Sequence, residues 1–123
     1  MWLSERERRR AEERRAAALV GQVTLGGDPA GVYLDGERRD LPVFGPGGYV
    51  WRPGLGQQVL VLKAGEQGEA PCVAGAECGG QWTLEPGEVL IHSGEASIRL
   101  KADGTVAVTG RMTVNGKTVL TAV

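Results

Sequence analysis

The chain has 123 residues, a length typical of one domain with a short appended segment. Its formal net charge of −1 excludes an overall basic bias toward nucleic acid. Twenty glycines, set beside only three Trp, two Tyr and one Phe, indicate a turn-rich β protein with a thin core. No apolar run approaches the roughly 20 residues that span a bilayer, and the charged first residues predict no secretory signal.

Residues 1–20 predict a charged helix. Ser4 and Glu7 have the spacing of a capping box, which satisfies backbone donors at the start of a helix. Arginines and glutamates are interspersed through the segment, and no apolar face develops before residues 16–20. Interspersed charges of this kind favour a solvated or interfacial helix over a nucleic-acid contact.

Residues 21–80 predict a small OB-like β-barrel or a sandwich, without helices. Clusters of Gly, Pro and Asp separate short apolar runs, as turns separate strands. The predicted strands cover 22–25, 32–34, 41–44, 58–62 and 72–75. The run 59–62 is continuously apolar and predicts the central, most buried strand, whereas Pro42 places its own strand at an edge or a bulge.

Residues 81–123 begin as a Gly- and Pro-containing linker and continue as short strands joined by tight turns, among them Asn115-Gly116. Apolar residues recur there at every second position, so that each strand has one apolar side. A lone meander of such strands is marginal in water because no second layer covers it. The simplest cover is further copies of the chain. The predicted axial core consists of Ile98, Leu100, Val106, Val108 and Val114.

The sequence offers no set of residues for catalysis, and the chain is not expected to be an enzyme. Cys72 and Cys78 lack the spacing of a redox or zinc motif and are interpreted as free thiols, with a disulfide or a metal pair as the alternative. His92 is interpreted as a structural or surface residue, and three copies holding an axial ion are the alternative. No metal site, cofactor or phosphate-binding loop is predicted. The carboxylates near the linker are interpreted as solvated turn residues: Glu85, Glu88 and Glu95.

Several stretches carry a family resemblance when they are taken in order. They are Leu41–Phe44 before a Gly-rich loop, Trp51–Pro53, Gly54–Leu62, Ala64–Glu66, Cys72–Gly75, Ile98–Val106 and Met112–Gly116. In this order they resemble the baseplate assembly protein V family, the central spike of contractile phage tails. The resemblance spans residues 21–123 and rests on the order of the stretches, since no single one is diagnostic. Residues 1–20 lie outside it.

The resemblance implies an OB-like barrel followed by a short triple-stranded β-helix wound from three chains. It implies a homotrimeric structural protein that sits on the tail hub protein among other baseplate proteins and helps to puncture the target cell envelope. The implied location is the virion tail baseplate, assembled in the bacterial host cytoplasm, or a related injection particle. Many members end in a His-x-His iron motif. This chain lacks that motif, so that either the tip is blunt or a separate tip protein caps it.

An OB-like barrel also raises an alternative, an oligonucleotide- or glycan-binding module that the C-terminal strands trimerise. Such a site needs stacking aromatics in a basic groove. Tyr49, Trp51 and Arg52 form the only candidate cluster. They lie in one Gly-rich loop and are predicted to contact a neighbouring subunit or a partner, so no nucleic-acid partner is expected.

Overall fold

A computed structural model describes residues 4–8 and 17–121. These residues form strands with almost no helix, which confirms the predicted all-β class. The strands are β1 (Ala18–Leu25), β2 (Ala30–Tyr33), β3 (Glu37–Leu41), β4 (Gln58–Ala64), β5 (Ala70–Ala76), β6 (Val89–Ser93), β7 (Ala96–Leu100), β8 (Val106–Thr109), β9 (Thr113–Val114) and β10 (Lys117–Thr118). The chain divides into a first unit, Met1–Cys78, and a second unit, Gly79–Val123.

The first unit contains a five-stranded sheet in the order β3-β2-β1-β4-β5. β1 is its central strand, because it pairs antiparallel with β2 on one side and with β4 on the other. The two edges of the sheet meet where Val43, two residues after the end of β3, forms a parallel bridge with Val73 of β5. There the Phe44 N–H donates to the Val73 carbonyl at 2.8 Å, and the Val73 N–H donates to the Pro42 carbonyl at 2.9 Å. These bonds join the two edges of the sheet.

Valines from alternate strand positions form most of the core of the first unit. Its largest fully buried side chains are Val23, Val32, Val59, Val61 and Val73. The prediction that residues 59–62 form the central, most buried strand is wrong, since β1 is central and Leu60 and Leu62 are 42% and 40% exposed. Side chains alternate across a strand, and only one face of this sheet is covered, so every second residue of β4 points away from the core.

The predicted helix over residues 1–20 is wrong at its end, where β1 begins at Ala18. Residues 18–20 pair with residues 60–62 of β4, and this ladder overrides a weak local preference for helix. The predicted capping box forms: the Glu7 N–H donates to Ser4 Oγ at 3.1 Å, and the Ser4 N–H donates to Glu7 Oε2 at 3.3 Å. Residues 9–16 of the predicted helix lie outside the described residues.

The strand predicted over residues 41–44 lies earlier in the structure. β3 covers Glu37–Leu41 and ends before Pro42, which has no N–H to donate to a ladder. Most of β3 is charged and exposed, as suits a strand at the edge of a sheet. Residues 42–57, here called the long loop, then connect β3 to β4.

The second unit contains a three-stranded antiparallel sheet in the order β6-β7-β8 and a separate hairpin of β9 and β10. Its reversals fall on predicted turn residues. Gly94 follows β6 with a φ of 57°, and Asn115 and Gly116 have φ values of 50° and 78° between β9 and β10. Positive φ at both central residues is the turn geometry that Asn-Gly favours. All described pairing in this unit is between strands that follow one another in sequence.

Candidate functional site

The register of β6, β7 and β8 places six aliphatic side chains on one face of their sheet. One row contains Val89, Leu100 and Val106, and the next contains Ile91, Ile98 and Val108. All six side chains are between 42% and 60% exposed, and none is polar. This surface, here called the apolar face, is a contiguous patch of the kind that marks an interface.

The opposite face of the same sheet is more polar and is partly covered. His92, Ser97, Arg99 and Thr109 point to it, because they alternate with residues of the apolar face. Leu90 and Ala107, which are both paired with Arg99, lie on the same side. The Trp82 ring packs on the His92 ring, with centroids 4.2 Å apart and planes tilted by 42°. Trp82 Nε1 is buried without a hydrogen-bond partner among the residues that the structure describes. Within the described residues, the chain thus places an aromatic ring on the polar face and leaves the apolar face open.

The predicted axial core residues are only partly brought together. Ile98, Leu100, Val106 and Val108 share the apolar face, but Val114 belongs to the β9–β10 hairpin. In that hairpin it pairs with Lys117, while the Val119 N–H donates to the Met112 carbonyl at 2.8 Å. Met112, Val114 and Val119 are each exposed by 41% to 49%. The hairpin therefore carries a second, smaller set of exposed apolar side chains.

Sequence reasoning missed two members of the apolar face, Val89 and Ile91. Both lie on β6, and both are paired with predicted core residues, Val89 with Leu100 and Ile91 with Ile98. The signal was present in the sequence as the apolar run Val89-Leu90-Ile91 directly after Glu88. The assignment of these residues to the apolar face required the register, which shows that β6 pairs with β7 along its whole length.

Glu88 ties the linker to the turn between β7 and β8. Its Oε1 accepts the Glu85 N–H at 3.0 Å, and its Oε2 accepts the Ala102 N–H at 3.0 Å. These two hydrogen bonds hold the pKa of the Glu88 carboxyl below its ordinary value of 4.5. The bond from the Glu85 N–H has the larger effect, and the bond from the Ala102 N–H has the next largest. Both oxygens of this turn carboxylate are therefore engaged by backbone N–H groups.

Acid is expected to destabilise the second unit through Glu88. A carboxyl with a lowered folded-state pKa contributes stability that is present above pH 4.5 and is lost as the pH falls through the folded value. The thermal midpoint of the wild-type chain should therefore drop as the pH falls below about 4.5. Glu88→Gln, with one acceptor oxygen fewer and no charge, should lower the midpoint at pH 7 and reduce the drop. An equally steep acid limb in Glu88→Gln would contradict this role.

The long loop holds the predicted contact residues Tyr49, Trp51 and Arg52 in different environments. Trp51 packs against the valine core, and its Nε1–H donates to the Phe44 carbonyl at 3.0 Å. Arg52 Nη1 lies 3.9 Å from Asp28 Oδ2, and Tyr49 is 59% exposed. Trp51 is thus a structural anchor of the loop, and the three residues do not form a stacking platform.

The remaining candidate residues stand apart from one another. Cys72 is buried and Cys78 is exposed, and both are free thiols. His92 packs on Trp82 in the second unit. Among residues 4–8 and 17–121, no group of three His, Cys, Asp or Glu side chains is arranged to hold a metal ion.

Comparison with known proteins gives no family assignment. No protein-family model matches this chain, and no curated protein is significantly similar to it. In the part of the chain that the structure describes, no helix is both long enough and apolar enough to cross a membrane. The function must therefore be inferred from the surfaces of the molecule and from its strand register.

Proposed function

We propose that the chain is a structural homotrimer in which the apolar faces of three copies meet around a common axis. The observation that carries this proposal is the apolar face itself, two rows of three aliphatic side chains that are 42–60% exposed in one chain. Full burial of a Val, Leu or Ile side chain contributes about 1.5–3 kcal/mol. Six half-buried side chains therefore leave a large part of their stabilisation unrealised until a second layer covers them.

Three copies are favoured over two by the resemblance to the baseplate assembly protein V family. A face-to-face dimer would also bury the apolar face, as a two-layer sandwich. In the trimer, three sheets enclose an axis and the apolar face of each copy packs against the apolar faces of the other two. β6, β7 and β8 pair within one chain, so each copy would contribute one three-stranded sheet to the proposed shaft. Winding of the three chains into a triple-stranded β-helix is the finer form of the proposal.

An OB-like barrel is the architecture proposed for the first unit. Its support is the strand order β3-β2-β1-β4-β5 together with the parallel contact between the two outer strands at Val43 and Val73. In this arrangement β1 pairs with both β2 and β4, and the sheet closes on itself where β3 gives way to the long loop. Closure removes open sheet edges, which would otherwise invite aggregation.

The proposed activity is mechanical. Three barrels would form a collar on the tail hub protein of a contractile tail or a related injection particle, and the shaft would be driven against the target cell envelope. The hydrogen-bonded strands of the shaft suit this role, because a backbone network resists bending. The C-terminal hairpin exposes Met112, Val114 and Val119, which supports a separate tip protein as a further partner.

The alternative function, an OB-like module that binds oligonucleotides or glycans, has less support. It needs aromatic rings that are free to stack on bases or sugars. Trp51 is engaged with the valine core and the Phe44 carbonyl, which leaves Tyr49 as the exposed ring of the predicted cluster. Salt-sensitive binding of a single-stranded oligonucleotide that is lost in Tyr49→Ala would favour this alternative.

The mass of the assembly in solution tests the proposed function. Sedimentation equilibrium at micromolar concentration is expected to give the mass of three chains, with 13.0 kDa for each. The mass of a dimer would indicate a face-to-face sandwich instead of a threefold assembly. A stable monomer would contradict the proposal altogether. Electron microscopy of the assembly should then show a collar with a short central projection.

A further inference from the structure

A cleft opens in the first unit between the end of β3 and the start of β5. It is lined by residues 39–42 and 44 on one side and by Ala64 with residues 69–72 on the other, next to the bridge between Val43 and Val73. Its volume of about 410 Å³ lies within the roughly 300–1,000 Å³ of ligand pockets. All of these residues belong to one chain, so the cleft does not depend on the proposed homotrimer.

Most of the lining of the cleft is apolar. Leu41 and Cys72 are buried, with 2% and 8% of their surface exposed, and Pro42 and Pro71 line the cleft beside them. Phe44, the only phenylalanine of the chain, also lines the cleft and is 58% exposed. An exposed aromatic ring beside apolar side chains can bind both the charge and the apolar stem of an organic cation.

The charged residues of the lining give the cleft a negative character. They are Arg39, Asp40 and Glu69. Arg39 Nε donates to Glu37 Oε2 at 2.9 Å, so the charge of Arg39 is already offset. Glu69 Oε2 accepts the Gln67 N–H at 2.8 Å and carries its charge on the turn between β4 and β5. Within residues 4–8 and 17–121, no hydrogen bond or ion pair reaches the carboxylate of Asp40.

An organic cation fits this lining better than a metal ion or a neutral apolar ligand. The described part of the chain has no group of three side chains that could hold a metal ion, and the apolar walls add no oxygen ligands. A neutral ligand would cover the two carboxylates without pairing them, which costs free energy. A guanidinium group offers a planar face to the Phe44 ring and N–H donors to the carboxylates of Asp40 and Glu69.

The edge of β5 offers an acceptor to a peptide backbone. The N–H and carbonyl of Val73 bond to residues 42 and 44, so they point away from β4. Pro71 lies two residues earlier on β5, and its carbonyl therefore points the same way. The residue of β4 opposite Pro71 is Lys63, whose N–H donates to the Ala17 carbonyl at 2.8 Å. An extended segment in the cleft could thus donate an N–H to the Pro71 carbonyl, as in strand addition.

We propose that the cleft binds an arginine side chain that a partner protein presents on an extended segment. The aliphatic stem would pack on Pro42 and Pro71, and the guanidinium would lie on the Phe44 ring within reach of Asp40 and Glu69. A backbone N–H of the same segment would donate to the Pro71 carbonyl. The proposal goes beyond the homotrimer, because it assigns the first unit a binding site for a partner of defined chemistry.

An NMR titration of the full-length chain tests the proposal. The Trp51 Nε1–H donates to the Phe44 carbonyl, so the indole resonance of Trp51 reports on this wall of the cleft. The resonance of Trp82, in the second unit, is the internal control. The probe is a blocked alanyl-arginyl-alanine peptide, and the control peptide has citrulline, a neutral group of the same shape, in place of arginine. We expect a saturable shift of Trp51 with the arginine peptide and about tenfold weaker binding of the citrulline peptide, which loses both ion pairs.

Three variants locate the binding. Asp40→Asn keeps the shape of the side chain and tolerates the φ of 59° at this position, and it should weaken binding about threefold. Phe44→Leu keeps an apolar wall but removes the ring, and it should also weaken binding about threefold. Glu66→Gln is the matched control, because it removes a carboxylate between β4 and β5 that does not line the cleft. This variant should bind the arginine peptide as tightly as the wild type.

The outcomes are distinct. Equal binding of the two peptides, or no saturable shift of Trp51, overturns the proposal. An equal loss in Glu66→Gln and Asp40→Asn overturns it as well, because the overall charge of the chain would then account for the binding. n-Butylguanidinium should bind more weakly than the arginine peptide, and equal affinities would overturn the assignment to a peptide segment. A monomeric mass for the wild-type chain would contradict the homotrimer and leave the cleft unaffected.

Discussion

Replacing Val108 by aspartate is expected to turn the proposed homotrimer into monomers at micromolar concentration. Val108 stands in a row with Ile91 and Ile98 on the apolar face. Three valine side chains would leave the proposed interface, each with about half of the roughly 1.5–3 kcal/mol that full burial contributes, because Val108 is 48% exposed in one chain. A carboxylate in the place of each valine adds a desolvation penalty of several kcal/mol. Sedimentation equilibrium of the variant should report the mass of one chain.

Thr109→Asp is the matched control. Thr109 follows Val108 on β8 and points to the opposite, more polar face of the sheet. The variant therefore adds the same charge to the same strand, but on the side away from the proposed interface. This variant is expected to keep the wild-type mass. If Val108→Asp also stays trimeric, the apolar face is not the trimer interface. Loss of the trimer in both variants would point instead to a general failure of β8 to form.

Gly21→Ala is expected to lower the free energy of unfolding of the first unit by about 1–3 kcal/mol, the usual cost of overpacking. A Cβ at Gly21 would lie 2.6 Å from Val32 Cγ1 and 2.7 Å from the Tyr33 carbonyl oxygen, and it would also collide with Leu34. Val32 is fully buried and the carbonyl belongs to β2, so neither neighbour can move aside cheaply. The shift in the urea midpoint, followed by tryptophan fluorescence, measures the effect.

Gly75→Ala provides the comparison on another strand of the same sheet. Open space surrounds the added methyl group there, because a Cβ at Gly75 meets no atom within 4 Å. The substitution also restricts the unfolded chain, which is worth about 0.4–1 kcal/mol of stability. The midpoint should therefore stay level or rise slightly. An unchanged midpoint in Gly21→Ala would show that β1 and β2 are not packed as closely as the structure indicates.

Local features of the fold could be predicted from the sequence. The Asn115-Gly116 reversal, the Ser4–Glu7 capping box and the apolar alternation after Glu88 all depend on neighbouring residues alone. Such patterns fix local geometry wherever the segment lies in the molecule. They are sufficient for the all-β class and for most of the apolar face.

Features that depend on distant partners could not be predicted. β1 begins at Ala18 because its first residues pair with β4, and the local sequence does not indicate this partner. The Val43–Val73 contact joins two segments whose meeting depends on the whole sheet. Trp51 looks like a contact residue in the sequence, yet its ring packs on the core and its Nε1–H donates to the Phe44 carbonyl.

The sequence-local pairing of the second unit determines the order in which the molecule can assemble. Hairpins between neighbouring strands form within microseconds, whereas β1 must find β4 across two intervening strands and the long loop. The strands of the second unit are therefore available early. In the proposed homotrimer, their apolar side would stay uncovered until other chains arrive. Assembly would then be a collision-limited step, whose rate would rise with the concentration of newly made chains.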